Sequence, residues 1–288
     1  MREPRFTAPP DGRLTADMRT AYARTGFLVL EGYRSAAACD AVSARAADLI
    51  AAFDPATVST VFAADSNAHT RDAYFLGSGD KIRFFLEPGA FDAAGRPRVA
   101  KERALNKIGH ALHDLDPVFD GFSRGADLAA TAADIGLIDP VLMQSMLIFK
   151  QPRIGAEVGL HQDATFLHSD PVSCTGFWFA LEDADESNGC LIGLAGAHRQ
   201  GLKERSHFVD GRIVKTRLDD TPFTGVEMAL PAPKGTLVLL HGLAPHRSTA
   251  NSSDRSRWAY ALHAHDRATR WSDDNWLKRD AGMALRGF

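Results

Sequence analysis

Apolar positions along the chain change their spacing near residue 136. Before it they recur mostly every three or four residues, the spacing of a helix face, and after it they fall in short runs between turn residues. Thr15 is placed to cap a short helix over 17–25, which Gly26 stops ahead of the apolar strand Phe27-Leu28-Val29-Leu30. Ser35 opens a longer helix on which Cys39, Val42, Ala46, Leu49, Ile50 and Phe53 share one face until Pro55, and that face is expected to lie against a sheet. Over 66–100 the pattern breaks on Gly77, Gly79, Gly89, Gly95, Pro88 and Pro97, with one strand-like run at 81–86. Such a segment reads as a lid that orders when a ligand binds. Residues 106–115 read as helical or extended, and an alanine-rich helix over 123–136 ends at Gly136.

The later runs predict strands at 141–150, 165–167, 175–181, 190–194, 235–241 and 257–265. A helical front followed by short strands predicts an α+β fold, a sandwich or jelly roll with helices packed on one sheet. No internal repeat or low-complexity tract divides it. A single domain over 1–288 is expected, with a β core at about 140–266 and a helical part at 15–136.

Composition narrows the partners. The 288 residues, 45% hydrophobic and 24% charged with a net charge of -3, suit a globular protein with a sizeable core and announce no basic face for nucleic acid. No stretch approaches the ~18 uninterrupted apolar residues of a membrane span, and residues 1–15 hold no apolar leader. Cys39, Cys174 and Cys190 have no CxxC spacing and make no disulfide framework, which fits a reducing, cytoplasmic setting. Cys174 and Cys190 read as small buried apolar residues.

The candidate chemistry centres on His161-Gln162-Asp163. On extended backbone an imidazole and a carboxylate two residues apart point to the same side, so both can reach one cation. His246, after the apolar run 236–240 and the breaks at Gly242 and Pro245, is placed to arrive from another strand. Two histidines and one carboxylate form the facial triad of non-heme Fe(II) oxygenases, with positions left open for cosubstrate and oxygen. Taken alone, His-x-Asp is also common in surface turns. Arg257 adds weight. It shares one strand face with Ala259, Ala261 and His263, and a guanidinium driven into an interior is costly unless it meets an anion, such as a dicarboxylate held in bidentate fashion. Arg255 has the same parity. If the strand begins level with the metal, Arg257 lies one inward position deeper, and Arg255 beside Asp254 is a solvated ion pair. On the same premise His263 and His265 lie too far along to form a second metal site.

Several stretches carry a resemblance: Asn106-Lys107-Ile108-Gly109-His110-Ala111-Leu112, Gln144-Ser145-Met146, Phe149-Lys150-Gln151-Pro152, His161-Gln162-Asp163, Glu182-Asp183-Ala184, Asn188-Gly189-Cys190-Leu191 and Ser253-Asp254-Arg255-Ser256-Arg257. Together they resemble the phytanoyl-CoA dioxygenase family over nearly the whole chain. The resemblance implies a double-stranded β-helix, cupin-like, with Fe(II) on His161, Asp163 and His246 and the cosubstrate 2-oxoglutarate held by Arg257. It further implies Lys107, Met146, Trp178 and Ser248 as lining of the cosubstrate pocket, and ascorbate as a supporting reductant. The implied reaction is hydroxylation of a small-molecule substrate with O2, giving succinate and CO2. One departure from the pattern, Ile192-Gly193-Leu194-Ala195-Gly196, points to a different rim of the substrate pocket.

Other readings stay open on the residues alone. A metal-binding jelly roll of isomerase type would need no inward arginine past the distal histidine, and a non-catalytic protein on the same fold could bind metal and 2-oxoglutarate without turnover. Lys107 by itself equally fits a solvent-facing lysine. His110, His113, Asp114 and Asp116 read as helix-end polar groups, and His198 and His207 are candidates to touch substrate. Trp178 has opposite parity to Phe177 and Phe179, which turns it toward the interior. No phosphate cradle or basic cluster marks a coenzyme A site.

Overall fold

The computed structural model describes residues 4–55, 72–92, 94 and 96–288. Two sheets face one another. The larger has eight strands in the order Arg5–Thr7, Phe27–Glu31, Leu237–His241, Thr175–Ala180, Arg257–Asp266, Pro140–Lys150, Leu105–His110 and Ile82–Leu86. The smaller has four, Val226–Leu230, Leu191–Ala195, His246–Ser248 and Val158–His161.

Alternation along the central strands splits the core in two. Phe177, Phe179, Leu237, Leu239, Tyr260 and Leu262 turn outward and are covered by Val42, Ala46 and Ile50 of the helix Ala36–Ala52, Phe119 and Phe122 of Pro117–Ser123, and Leu128 and Ala132 of Ala126–Asp134. The intervening residues Trp178, Ala180, Val238, Leu240, Ala259 and Ala261 turn inward against Leu191, Ala195 and Leu230 of the smaller sheet. The expected double-stranded β-helix with helices on one sheet is therefore the observed one, and period two in the sequence is its cause.

The caps behave as their residues dictate. The Thr15 hydroxyl accepts from the Met18 N–H, and Gly26 takes the left-handed conformation at φ 85° while its N–H donates to the Tyr22 carbonyl at 2.8 Å. Ser35 caps the long helix, whose predicted face is the buried one.

Elsewhere local pattern misleads. Residues 165–167 form no strand, because the N–H groups of Phe166 and Leu167 fold back onto the Asp163 carbonyl in a 3-10 turn. The helix predicted over 123–136 is Ala126–Asp134, and a separate helix, Pro117–Ser123, capped by Asp116, precedes it across Arg124-Gly125. Residues 106–115 divide into the strand Leu105–His110 and the helical turn Leu112–Leu115. Of the segment read as a lid, residues 66–71, 93 and 95 lie outside the described ones. The remainder includes the turn Ala73–Leu76 and the strand Ile82–Leu86, where Phe85 is buried and Phe84 stacks on Phe53 at 4.2 Å. Four strands from before residue 136 thus join the larger sheet. Among the described residues no helix is long and apolar enough to cross a membrane.

Candidate active site

His161 closes the strand Val158–His161 and His246 opens His246–Ser248, and the antiparallel register sets the two opposite one another. Their ring centroids are 4.3 Å apart. Asp163 enters at the start of the 3-10 turn that follows His161, and its Oδ1 lies 3.6 Å from His161 Nε2 and 3.7 Å from His246 Nε2. One ligand atom from each of the three lies within 4.8 Å of the others.

Backbone carbonyls orient both rings. His161 Nδ1 lies 2.8 Å from the Gly159 carbonyl and His246 Nδ1 3.0 Å from that of Ala244. A carbonyl only accepts, so each Nδ1 carries a proton and each Nε2 is the ring nitrogen left to face Asp163. Burial pushes His246 down to about 4 and so keeps it neutral, the form that binds a cation. Burial would raise the Asp163 carboxyl, but the neighbouring His246, His263 and His161 hold it well below the usual carboxylate range. Its Oδ2 is buried without a hydrogen-bond partner. Two imidazoles and an ionised, under-satisfied carboxylate on one side of a common point suit a divalent transition metal.

Within 192–196, one glycine has a packing reason. Gly193 pairs with His246, and a Cβ there would come within 2.6 Å of the Phe27 ring.

A second group of residues comprises Arg257, Trp178, Met146 and Lys107 on neighbouring strands of the larger sheet and Ser248 on the smaller. Arg257 is 2% exposed, its Nε and Nη1 have no hydrogen-bond partner, and its guanidinium carbon lies 5.5 Å from the Trp178 ring. Burial pushes it down to about 10. Trp178 is buried and faces inward as its parity dictates. Met146, half-buried, pairs with Ala261 on one side and Gly109 on the other, and buried Ser248 follows His246 by two residues on its strand. Lys107 is 7% exposed, which overturns the solvent-facing reading. Its amine lies 5.3 Å from the rings of both Phe75 and Phe85, and burial pushes it down to about 7.

Lys150, which sequence reasoning did not single out as a site residue, is the cross-strand partner of Arg257. It is buried, donates to the Ala156 and Thr249 carbonyls, and is pushed down to about 7 by burial and then by the Arg257 charge. Its strand parity with Met146 was the available signal. Arg255 is the exposed ion pair expected, bonded to Asp185 rather than to Asp254, which pairs with Arg153.

The depth assumed for the strand Arg257–Asp266 is corrected. The residue level with Asp163 is His263, whose Nε2 lies 3.4 Å from Asp163 Oδ2, and not the first residues of the strand. His265 packs against Trp271 at 5.0 Å with the rings tilted and is not part of the cluster that His263 joins. Asp116 caps a helix, Asp114 is bonded to Arg124, Arg279 and Arg286, and His110 and His113 bond to Ser78 and Ser145. Cys174 and Cys190 are buried, as is His198, which packs on His241 at 5.3 Å.

Known proteins are similar to this chain in sequence and in fold. The sequence profile of the family described as phytanoyl-CoA dioxygenase (PhyH) matches residues 22–259. The chain is 45% identical over 264 residues to the phytanoyl-CoA dioxygenase domain-containing protein 1 of Bos taurus, covering 88% of this chain and 91% of that one. It is 39% identical over 273 residues to the phytanoyl-CoA dioxygenase of Arabidopsis thaliana, covering 93% and 95%. Among solved structures the fold is similar to EctD from S. alaskensis with bound Fe, with a TM-score of 0.64 at 20% identity over 96% of this chain and 87% of that one. It is also similar to the epimerase SnoN in complex with Fe3+, alpha ketoglutarate and nogalamycin RO, with a TM-score of 0.62 at 16% identity over 94% and 92%.

Proposed function

The chain belongs to the phytanoyl-CoA dioxygenase family, and from that premise we propose that it is an Fe(II)- and 2-oxoglutarate-dependent dioxygenase hydroxylating a small-molecule substrate. The observation that carries the reading is Arg257, a buried guanidinium with two N–H-bearing nitrogens unpaired, on the inner face of the larger sheet, opposite the smaller sheet whose strands present His161 and His246. A metal-binding jelly roll with no acidic cosubstrate has no use for such a group, which costs free energy until an anion meets it.

In this reading His161, Asp163 and His246 hold the iron, and Arg257 takes the far carboxylate of 2-oxoglutarate as a bidentate, charge-assisted pair. Lys107 adds a second positive charge to the cosubstrate pocket. Trp178, Met146 and Ser248 wall it, Trp178 by stacking on the guanidinium and excluding water. When bound, Fe(II) with 2-oxoglutarate supplies the activation of O2 that inserts one oxygen atom into a C–H bond and leaves succinate and CO2. The protein contributes orientation and a dry site, and no side chain is asked to shuttle a proton.

The test is anaerobic addition of Fe(II) and 2-oxoglutarate, read as a visible charge-transfer band, followed by oxygen with ascorbate present and succinate measured. A band without succinate, even with a panel of hydrophobic and acidic candidate substrates, would instead support a protein that binds metal and 2-oxoglutarate without turnover. Absence of the band would remove the metal reading.

A further inference from the structure

The oxygen of Asp163 that faces away from His161 and His246 has one imidazole beside it. Oδ2 is buried and otherwise unpartnered, and His263 Nε2 lies 3.4 Å away, long for a hydrogen bond but the approach of a donor to a carboxylate. The three histidines around this carboxylate are not equivalent. His161 and His246 each give Nδ1–H to a backbone carbonyl and turn Nε2 toward Oδ1. His263 Nδ1 is buried with no partner, so no carbonyl fixes its tautomer. Oδ2 can only accept, so a hydrogen bond between the two groups needs the proton on His263 Nε2.

The surrounding backbone is shaped to this contact. Gly176 pairs with His263 on the next strand, and a Cβ there would stand 3.0 Å from Asp163 Oδ2 and 3.8 Å from His263 Nε2, in the space the two groups use to meet. The pairing of Arg257–Asp266 with Pro140–Lys150 shifts register between His263 and Ala264, the kind of irregularity that re-aims a side chain. Arg257, Ala259 and Ala261 share the inner face with His263, so the strand carries a guanidinium at one end of the pocket and an imidazole donor at the other.

We infer that His263 is a positioning residue: its Nε2–H occupies Asp163 Oδ2, leaving Oδ1 alone to serve the cation shared with His161 and His246. This rests on the metal reading proposed above. Its consequence is a carboxylate held to one-oxygen ligation, which keeps the remaining positions open for the cosubstrate and O2. Partners of ligating groups of this kind alter metal affinity by about 10–100-fold.

The experiment uses Co(II) titration of the full-length apoprotein, followed by its visible absorption, with His263→Phe, which fills the space without a donor, and His263→Gln, which restores an N–H. Expected are tight binding by the wild type, about 10–100-fold weaker binding by His263→Phe with an unchanged coordination spectrum at saturation, and recovery to within about threefold in His263→Gln. Equal affinity in wild type and His263→Phe would mean the ring only packs, and a His263→Gln as weak as His263→Phe would deny the donor role. A saturated spectrum that loses an imidazole, as His161→Ala should, would make His263 a ligand and overturn the inference. If His263→Phe does not fold, His263→Met replaces it against the same Gln comparison. A wild-type protein that binds no Co(II) would sink the metal reading itself, an outcome distinct from all of these.

Discussion

Replacing Arg257 with methionine keeps most of the volume of the side chain and removes its charge. The guanidinium is buried, with Nε and Nη1 unpaired. In the proposed complex it makes a bidentate, charge-assisted contact worth about 1.5–3 kcal/mol. Its loss corresponds to about 10- to 150-fold in the 2-oxoglutarate dissociation constant. Differential scanning fluorimetry with a redox-inert divalent metal gives a direct assay. At a 2-oxoglutarate concentration about 100 times the wild-type constant, the wild type gains about 2.7 kcal/mol, a variant bound 10-fold more weakly about 1.4, and one bound 100-fold more weakly about 0.4. The ligand-free protein should move the other way. Burial holds Arg257 down at about 10, so the charged group costs stability at neutral pH, and the ligand-free midpoint of Arg257→Met should hold or rise. Arg255→Ala, which loses only an exposed pair with Asp185, should leave 2-oxoglutarate binding unchanged. A 2-oxoglutarate-dependent shift in Arg257→Met equal to that of the wild type would refute the assignment, as would an Arg255→Ala that loses as much.

Asp163→Ala should abolish Fe(II) binding and succinate formation while the protein still folds; a variant that keeps succinate formation would refute the ligand role. Lys107 sits at about 7 against 10.5 when unfolded, so between those values the unfolded chain binds more protons and stability should rise with pH; Lys107→Met should flatten that rise without removing it, since Lys150 has the same sign, as urea midpoints at pH 7 and 9.5 will show. Through the same window 2-oxoglutarate affinity should fall as the Lys107 charge is lost, measured by calorimetry. Gly193→Ala should lower the urea midpoint by the equivalent of about 1–3 kcal/mol, because the new methyl group would stand 2.6 Å from the Phe27 ring; an unchanged midpoint would mean the strand shifts freely.

What could be read from the sequence is what depends on short-range periodicity and on residue type. Alternation through 175–181 and 257–265 placed Trp178 and Arg257 inward. Thr15, Gly26 and Ser35 marked their helix ends because capping is settled within a turn of backbone. His161, Asp163 and His246 were visible as a candidate cluster from residue type and spacing, although Asp163 proves to start a 3-10 turn and not to continue the strand. The short polar strands Val158–His161, Glu204–Val209 and Arg212–Arg217 were not legible, since they bury little of their own and are held by the strands they pair with.

Depth along a strand was the quantity that local pattern could not supply. Parity put His263 on the same face as Arg257, yet nothing in the spacing said which end of that strand lies level with Asp163. That follows from the pairing of Arg257–Asp266 with Thr175–Ala180, which sets His263 against Gly176, and from the turn after His161 that brings Asp163 to the same level. Likewise Lys107 is polar in sequence and buried in the molecule because its strand pairs between Ile82–Leu86 and Pro140–Lys150. Register between distant segments is decided by the whole hydrogen-bonded sheet and the packing on its two faces, and only the tertiary structure contains that sum.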